Sequence, residues 1–178
     1  MEKLFIETDR LSITEFDESM VEYVHKNSLD EDNRRFVPDE VFETIEKAQQ
    51  MVQTFLEWYK KDRAPFVYPI ILKSGQNIGH VQAVPLNDSD WEIGYHIAKN
   101  YTGNGYATEA VKAFLSIIMK SLKIDRIIGI CLQENAASCS VLEKCDFILE
   151  YNGTGNYQGQ SRNICKYIYY DQNAYSRT

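Results

Sequence analysis

The sequence predicts an α+β domain built on a mostly antiparallel sheet, and three observations carry that expectation. Short alternating apolar runs, 66–73, 77–85 and 91–98, are joined by Ser74-Gly75-Gln76 and Asn87-Asp88-Ser89-Asp90, the spacing of a strand meander. Two longer segments instead repeat their apolar residues every three or four positions, as amphipathic helices do. Just one stretch, in the middle of the chain, offers a helical crossover between strands, so parallel pairing is expected there alone.

In chain order, residues 4–16 read as a first strand, with Leu11 and Ile13 alternating against Ser12 and Thr14. Asp17 or Ser19 can cap a short helix reaching about Lys26. The polar stretch 27–40 is expected to be loop or broken helix, because Pro38 interrupts it. Thr44 then caps a helix to about Arg63, whose stripe is Ile45, Ala48, Met51, Val52, Phe55, Leu56 and Tyr59. After the meander a second helix covers about 106–121, a buried strand 126–132, and a short helix 136–144. Residues 147–157 and 162–170 close the chain as a hairpin around Gln158-Gly159-Gln160. No linker or repeat divides this order, so residues 1–178 are expected to form a single domain of about seven strands and about four helices.

Composition narrows the function classes. The formal net charge of -7 argues against nucleic acid or an anionic membrane as partner and suits a cationic substrate. Cys131, Cys139, Cys145 and Cys165 lack metal-type spacing and lie in apolar segments, so reduced core thiols of a cytoplasmic protein are expected, with no metal site. The start MEKLFIETDRL lacks the apolar stretch of a signal peptide, and no run approaches membrane-spanning length.

The most informative segment is 91–110, where a strand ends in Thr102-Gly103-Asn104-Gly105-Tyr106-Ala107 and a helix follows at once. A helix start presents unpaired N–H groups, and glycines let the backbone approach a ligand without a Cβ in the way. The segment therefore reads as a phosphate or pyrophosphate cradle.

With that order of elements, the glycine turn resembles the signature Gln/Arg-x-x-Gly-x-Gly/Ala of the GCN5-related N-acetyltransferase (GNAT) superfamily. Gly105 and Ala107 match it, and Thr102 replaces the usual Gln or Arg. Three more segments resemble the RimJ/RimL-like branch, which modifies N-termini of ribosomal proteins. They are Thr8-Asp9-Arg10-Leu11, Gly105-Tyr106-Ala107-Thr108-Glu109-Ala110, and Asn135-Ala136-Ala137-Ser138 with Val141 to Phe147. In the last, Asp146 stands where glycine is usual, which predicts a strained or altered turn.

The resemblance implies a GNAT fold whose fourth and fifth strands splay apart to admit the pantetheine arm of acetyl-CoA. It implies acetyl transfer to a primary amine, either a protein N-terminus or a small amine or polyamine, and makes a homodimer a reasonable expectation. Carried onto this chain, the cofactor would be held by Tyr95, His96 and Ile97 on the fourth strand, by Thr102, Gly103, Asn104, Gly105, Tyr106, Ala107 and Thr108 at the turn, and by Asn135 and Ser138. Glu92 is the leading candidate for the base that takes the amine proton, with His96 on the same face by alternation and His80 opposite it. Ser138 resembles the residue that protonates the departing sulfur, and Lys144 is either a solvated helix end or a neighbour of the CoA phosphates. Two other readings stay open: a catalytically silent CoA-binding relative, and a dinucleotide-binding oxidoreductase with Glu134 as ribose ligand. Against the latter, Thr108 occupies the third glycine of G-x-G-x-x-G.

Overall fold

The computed structural model describes residues 4–171; Met1 to Lys3, the start of MEKLFIETDRL, and residues 172–178 lie outside the described residues. The chain starts with β1 (Ile6–Glu7) and β2 (Leu11–Ile13), followed by α1 (Val21–Ser28), α2 (Glu31–Phe36) and α3 (Ile45–Lys60). The meander β3 (Phe66–Leu72), β4 (Asn77–Pro85) and β5 (Trp91–Ile97) leads into α4 (Tyr106–Leu122). Then come β6 (Arg126–Leu132), α5 (Ala136–Lys144) and the hairpin of β7 (Ile148–Tyr157) and β8 (Gln160–Tyr170). Among the described residues these strands make one sheet in the order β1-β2-β3-β4-β5-β6-β8-β7.

Two expectations need correction. The opening strand is a small hairpin, because Thr8 turns the chain: its N–H donates to Leu11 O at 3.0 Å, and Leu11 N–H donates back to Thr8 Oγ1 at 2.9 Å. The strand count becomes eight. The helix count rises as well, because Asp30 caps α2 by accepting from Asn33 N–H, and a short 3-10 turn at Pro38–Glu40 follows. Elsewhere the local signals hold. Thr44 Oγ1 accepts from Lys47 N–H at the start of α3, and Asp17 accepts from Ser19 N–H before α1. Asp146 takes φ 65°, the left-handed conformation that glycine would supply, and Phe147 N–H closes back onto Leu142 O at 3.1 Å. Aspartate tolerates that region better than most residues, so the turn keeps the usual helix-ending shape.

Two layers of side chains fix the sheet. On one face α4 buries Ala110, Val111, Phe114, Leu115, Ile118 and Met119 against β2, β4 and β5. Phe114 is fully enclosed, and burying such a ring contributes about 3 kcal/mol. On the opposite face Val52 and Phe55 of α3 pack with Phe16 and Val67.

Register decides what faces the site. β4 and β5 pair without a slip from Gly79↔Ile97 to Pro85↔Trp91, so Glu92, Gly94 and His96 share a face with Val84, Gln82 and His80. β5 and β6 run parallel and register at Glu92↔Ile128 alone among the described residues. Beyond that pair the two strands part. This is the splay expected between the fourth and fifth strands. No helix among the described residues is long and apolar enough to cross a membrane.

Candidate active site

The glycine turn forms as its residues dictate. Gly103 and Gly105 adopt φ 78° and 80°, and Gly105 is the residue from which α4 begins. Having no side chain, Gly105 cannot cap the helix, so the first N–H groups of α4 remain available to an external anion and carry the positive end of the helix. Thr102, the departure from the usual long side chain, folds its hydroxyl back onto Lys99 O at 2.9 Å. Asn104 also serves the loop: its amide donates to Tyr101 O and Thr102 O at 3.1 Å. A Cβ at Gly103 would meet nothing within 4 Å, so the requirement there is for positive φ, not for room.

Arg10 ties this turn to the first hairpin, a role that no local sequence pattern revealed. Its guanidinium donates to Asn104 O at 2.9 Å, lies 4.6 Å over the Tyr106 ring, and pairs with Glu109 through Nε at 2.7 Å. Thr8 donates its hydroxyl to the same carboxylate at 2.6 Å. A bare carboxylate in the first turn of α4 would repel an incoming anion; Arg10 and Thr8 offset that charge. Burial alone would raise the Glu109 carboxyl, but the bonds from Thr8 and Arg10 outweigh it and hold it below its ordinary range.

The mouth of the splay brings together the residues proposed for chemistry. Glu92 stands at the last paired position, and its carboxylate accepts a hydrogen bond from the Ile130 backbone, a group freed where β6 leaves β5. Burial pushes this carboxyl up to about 7, the Ile130 bond opposes the shift, and the nearby charge of Glu40 adds to it. It therefore changes protonation near neutral pH, as a general base must.

Across the gap, Asn135 caps α5 by accepting Ser138 N–H at 3.1 Å, which fixes where Ser138 stands. Tyr95 reaches over from β5, its hydroxyl 3.0 Å from both Ser138 O and Ser138 Oγ. Burial holds the Tyr95 phenol far above its usual range, so it stays protonated and donates to Ser138 O, with Ser138 Oγ at the same distance. The sequence places Tyr95 among the cofactor-holding residues of its strand; the contact of its hydroxyl with Ser138 adds to that role.

The face carrying Glu92 continues into a line of paired carboxylates and imidazoles. His80 and His96 are register partners with ring centroids 5.8 Å apart. His80 Nε2 lies 3.2 Å from Glu40, which also accepts from Gln82 at 3.0 Å. His96 Nε2 lies 3.3 Å from Asp30, the residue that caps α2. Burial would raise Glu40, but His80, then His96 and Gln82, hold it low and ionised. His96 is thus engaged with Asp30, while the Glu92 carboxyl, pushed up to about 7, borders the groove. Glu134 accepts from Arg35 at 3.0 Å and from Arg162 at 3.1 Å, so its carboxylate is engaged by two cations.

These parts line one groove of about 890 Å³, the size of a small-molecule site. Every cofactor-binding or catalytic residue singled out in the sequence borders it except Asn104, which sits behind the turn, and His80, which lines the neighbouring cavity; Lys144 borders it too. Tyr157 closes one end, donating its hydroxyl to Phe36 O at 3.2 Å and so holding the last hairpin against α2. With the open amides of α4 and the parted strands, the residues present fit a long ligand that ends in phosphates.

Comparison with known proteins agrees with this geometry. The acetyltransferase (GNAT) domain family matches residues 10–148. In sequence the chain is 31% identical over 143 residues to the uncharacterized N-acetyltransferase YnaD of Bacillus subtilis (strain 168), covering 79% of this chain and 81% of that protein. In structure an acetyltransferase of the GNAT family from Bacillus anthracis aligns with a TM-score of 0.80 at 28% identity, over 94% of this chain and 98% of the other. RimL, a ribosomal L7/L12 α-N-protein acetyltransferase solved in complex with coenzyme A, shares the fold with a TM-score of 0.78 at 20% identity, over 94% and 98% of the two chains.

Proposed function

The chain belongs to the acetyltransferase (GNAT) family and is an N-acetyltransferase, and we propose that, acting as one domain, it transfers the acetyl group of acetyl-CoA directly to a primary amine. The acceptor is a protein N-terminus or a small amine. RimL acts on a ribosomal protein, so a ribosomal N-terminus is one acceptor of this class. Free thiols at all four cysteines fit a reducing cytoplasm. The observation that carries the reading is a single groove joining the uncapped start of α4 to Glu92 and Ser138 through the parted strands.

Each residue then has a physical task. The amides from Gly103 to Thr108, with Asn104 holding the loop behind them, bind the diphosphate, helped by the positive end of α4. Backbone groups of Tyr95, His96 and Ile97 and the side chain of Asn135 border the pantetheine arm. The amine must be neutral to attack: an α-amine, with a pKa near about 8, is roughly a tenth neutral at pH 7, whereas a lysine-type amine near about 10.4 is less than about a thousandth neutral. Glu92 takes the proton that the amine releases as the new C–N bond forms. The C–S bond breaks, and Ser138, held by Tyr95, passes a proton to the leaving thiolate and takes one back from solvent, while Glu92 returns its proton to solvent, so that amide and CoA thiol are the net products.

A thiolate is a fair leaving group, so the Ser138 proton should matter less than the Glu92 carboxylate. Ser138→Ala is expected to lower kcat about tenfold and Tyr95→Phe severalfold, with acetyl-CoA affinity nearly unchanged. A change in affinity with kcat intact would remove Ser138 from the chemistry.

Two measurements test the proposal as a whole. Acetyl-CoA at about 100 times its Kd should stabilise the fold by about 2.7 kcal/mol, and NAD should not. Thiol release from acetyl-CoA across a panel of small amines and N-terminal peptides should then identify acceptors. Stabilisation without release on any amine would leave a silent CoA binder.

A further inference from the structure

A second cavity of about 180 Å³ opens beside the groove, between β3–β5 and the helices α1 and α3. Its walls are apolar, formed by Val24, Phe42, Met51, Phe55, Trp58 and Val67. Asn33, Glu40, Gln82 and His96 line both this cavity and the groove, so the two spaces share a boundary at the carboxylate–imidazole row. For scale, a cavity of roughly 150 Å³ walled by aliphatic and aromatic side chains takes up benzene.

Two buried polar atoms on its lining lack partners among the described residues: Asn33 Oδ1, an acceptor, and Asn77 Nδ2, a donor. Both residues are almost fully enclosed, at 2% and 3% exposure. The other end of each amide is fixed, since Asn33 Nδ2 donates to Ser28 O and Asn77 Oδ1 accepts from Gly79 N–H. The orientation of the unpaired ends is therefore set. Leaving such groups unpaired is costly, and a ligand that brings a donor and an acceptor to them offsets that cost.

Resting on the acetyltransferase reading, we infer that this cavity selects the acceptor: a primary amine whose side arm is the size of one aromatic ring and carries a hydroxyl. The ring fills the apolar walls, the hydroxyl meets the asparagine amides, and the amine faces the groove past Glu40. The ionised Glu40 favours a cationic amine on approach, and Glu92 receives its proton for transfer. Tyramine and a peptide beginning with tyrosine carry the same ring-to-amine skeleton, so they separate a small amine from a protein N-terminus as the source.

The test compares kcat/KM for tyramine, phenethylamine, propylamine, a Tyr-initiated and a Ser-initiated peptide. A ring-bearing acceptor is expected to exceed its ringless counterpart by about 100-fold, and tyramine to exceed phenethylamine by about tenfold. Val24→Phe, which fills the cavity, should reduce the ring preference to less than about tenfold. Met51→Ala, which enlarges it, should shift preference toward a naphthyl amine. Binding is read without turnover from Trp58 emission in the Trp91→Phe background, where tyramine should change the signal and propylamine should not.

A panel acetylated without ring preference, or tyramine leaving Trp58 emission unchanged, overturns the cavity's role and leaves the acetyltransferase reading standing. Failure of every amine, together with failure of acetyl-CoA to bind, overturns the reading beneath it as well.

Discussion

Gly105→Val is expected to lower acetyl-CoA affinity by about 100-fold while the protein still folds. The cause is conformational. Gly105 holds φ 80°, a region that costs a non-glycine residue of order 1–3 kcal/mol and is worst for a β-branched one. Space is not the obstacle, since an added Cβ would approach nothing nearer than Arg10 at 3.6 Å. The chain would relieve the strain by rotating the peptide units around the start of α4, and those units carry the amides that must converge on a diphosphate. An anion held by several N–H groups at once loses most of its binding when they diverge. Gly105→Ala should show a weaker version of the same loss. Calorimetric titration with acetyl-CoA, beside a melting curve, separates the effects: a melting point within a few degrees of the parent and a large loss of affinity are expected. Unchanged affinity in the valine variant would place the diphosphate elsewhere.

That turn was legible because everything it needs is local. Alternation from Trp91, two glycines and a helical repeat from Ala107 lie in one short segment, and the conformation follows from them. The caps at Asp17 and Thr44 were legible for the same reason. The opening hairpin was missed although a signal existed: Ile6 and Leu11 are five positions apart, an odd spacing that one strand cannot reconcile with both facing the core. α2 also had a signal, with acidic Asp30, Glu31 and Asp32 ahead of basic Arg34 and Arg35.

The remainder of the site was not written locally. Arg10 meets Glu109 across 99 positions, Glu40 meets Gln82 across 42, and Tyr95 meets Ser138 across 43. Pairings between polar residues so far apart leave no periodicity behind, because each partner alone looks like any solvated side chain. The Thr8-x-Arg10 segment was recognisable as a motif, but its physical purpose appears only once the first hairpin is folded against α4. The row of carboxylates and imidazoles shows the intermediate case. Alternation put His96 on the Glu92 face and allowed His80 opposite, which the register bears out, yet nothing in the sequence assigned Glu40 and Asp30 to them.

For Glu92→Gln the expected loss is about 100- to 1,000-fold in kcat/KM on an amine of high pKa, and clearly less on an N-terminal peptide. The peptide's α-amine is already partly neutral at pH 7, so it draws less on a base. Because burial lifts the Glu92 carboxyl from 4.5 to about 7, its basic form appears as pH rises through that value. The parent enzyme should therefore show an acid limb near pH 7 in kcat/KM. In the variant only the amine's own limb should remain, near about 8 for a peptide or about 10.4 for a lysine-type amine. Stability moves in the opposite sense. A carboxyl whose pKa is raised by folding costs nothing below its unfolded value, and its cost grows as pH rises from 4.5 to about 7. Replacing it with neutral Gln should leave the melting point little changed at pH 4.5 and raise it by several degrees at pH 8. Higher stability with lower activity in one variant would mark a carboxylate kept buried for its chemistry. Equal losses on all amines with the acid limb intact would hand the proton to another group.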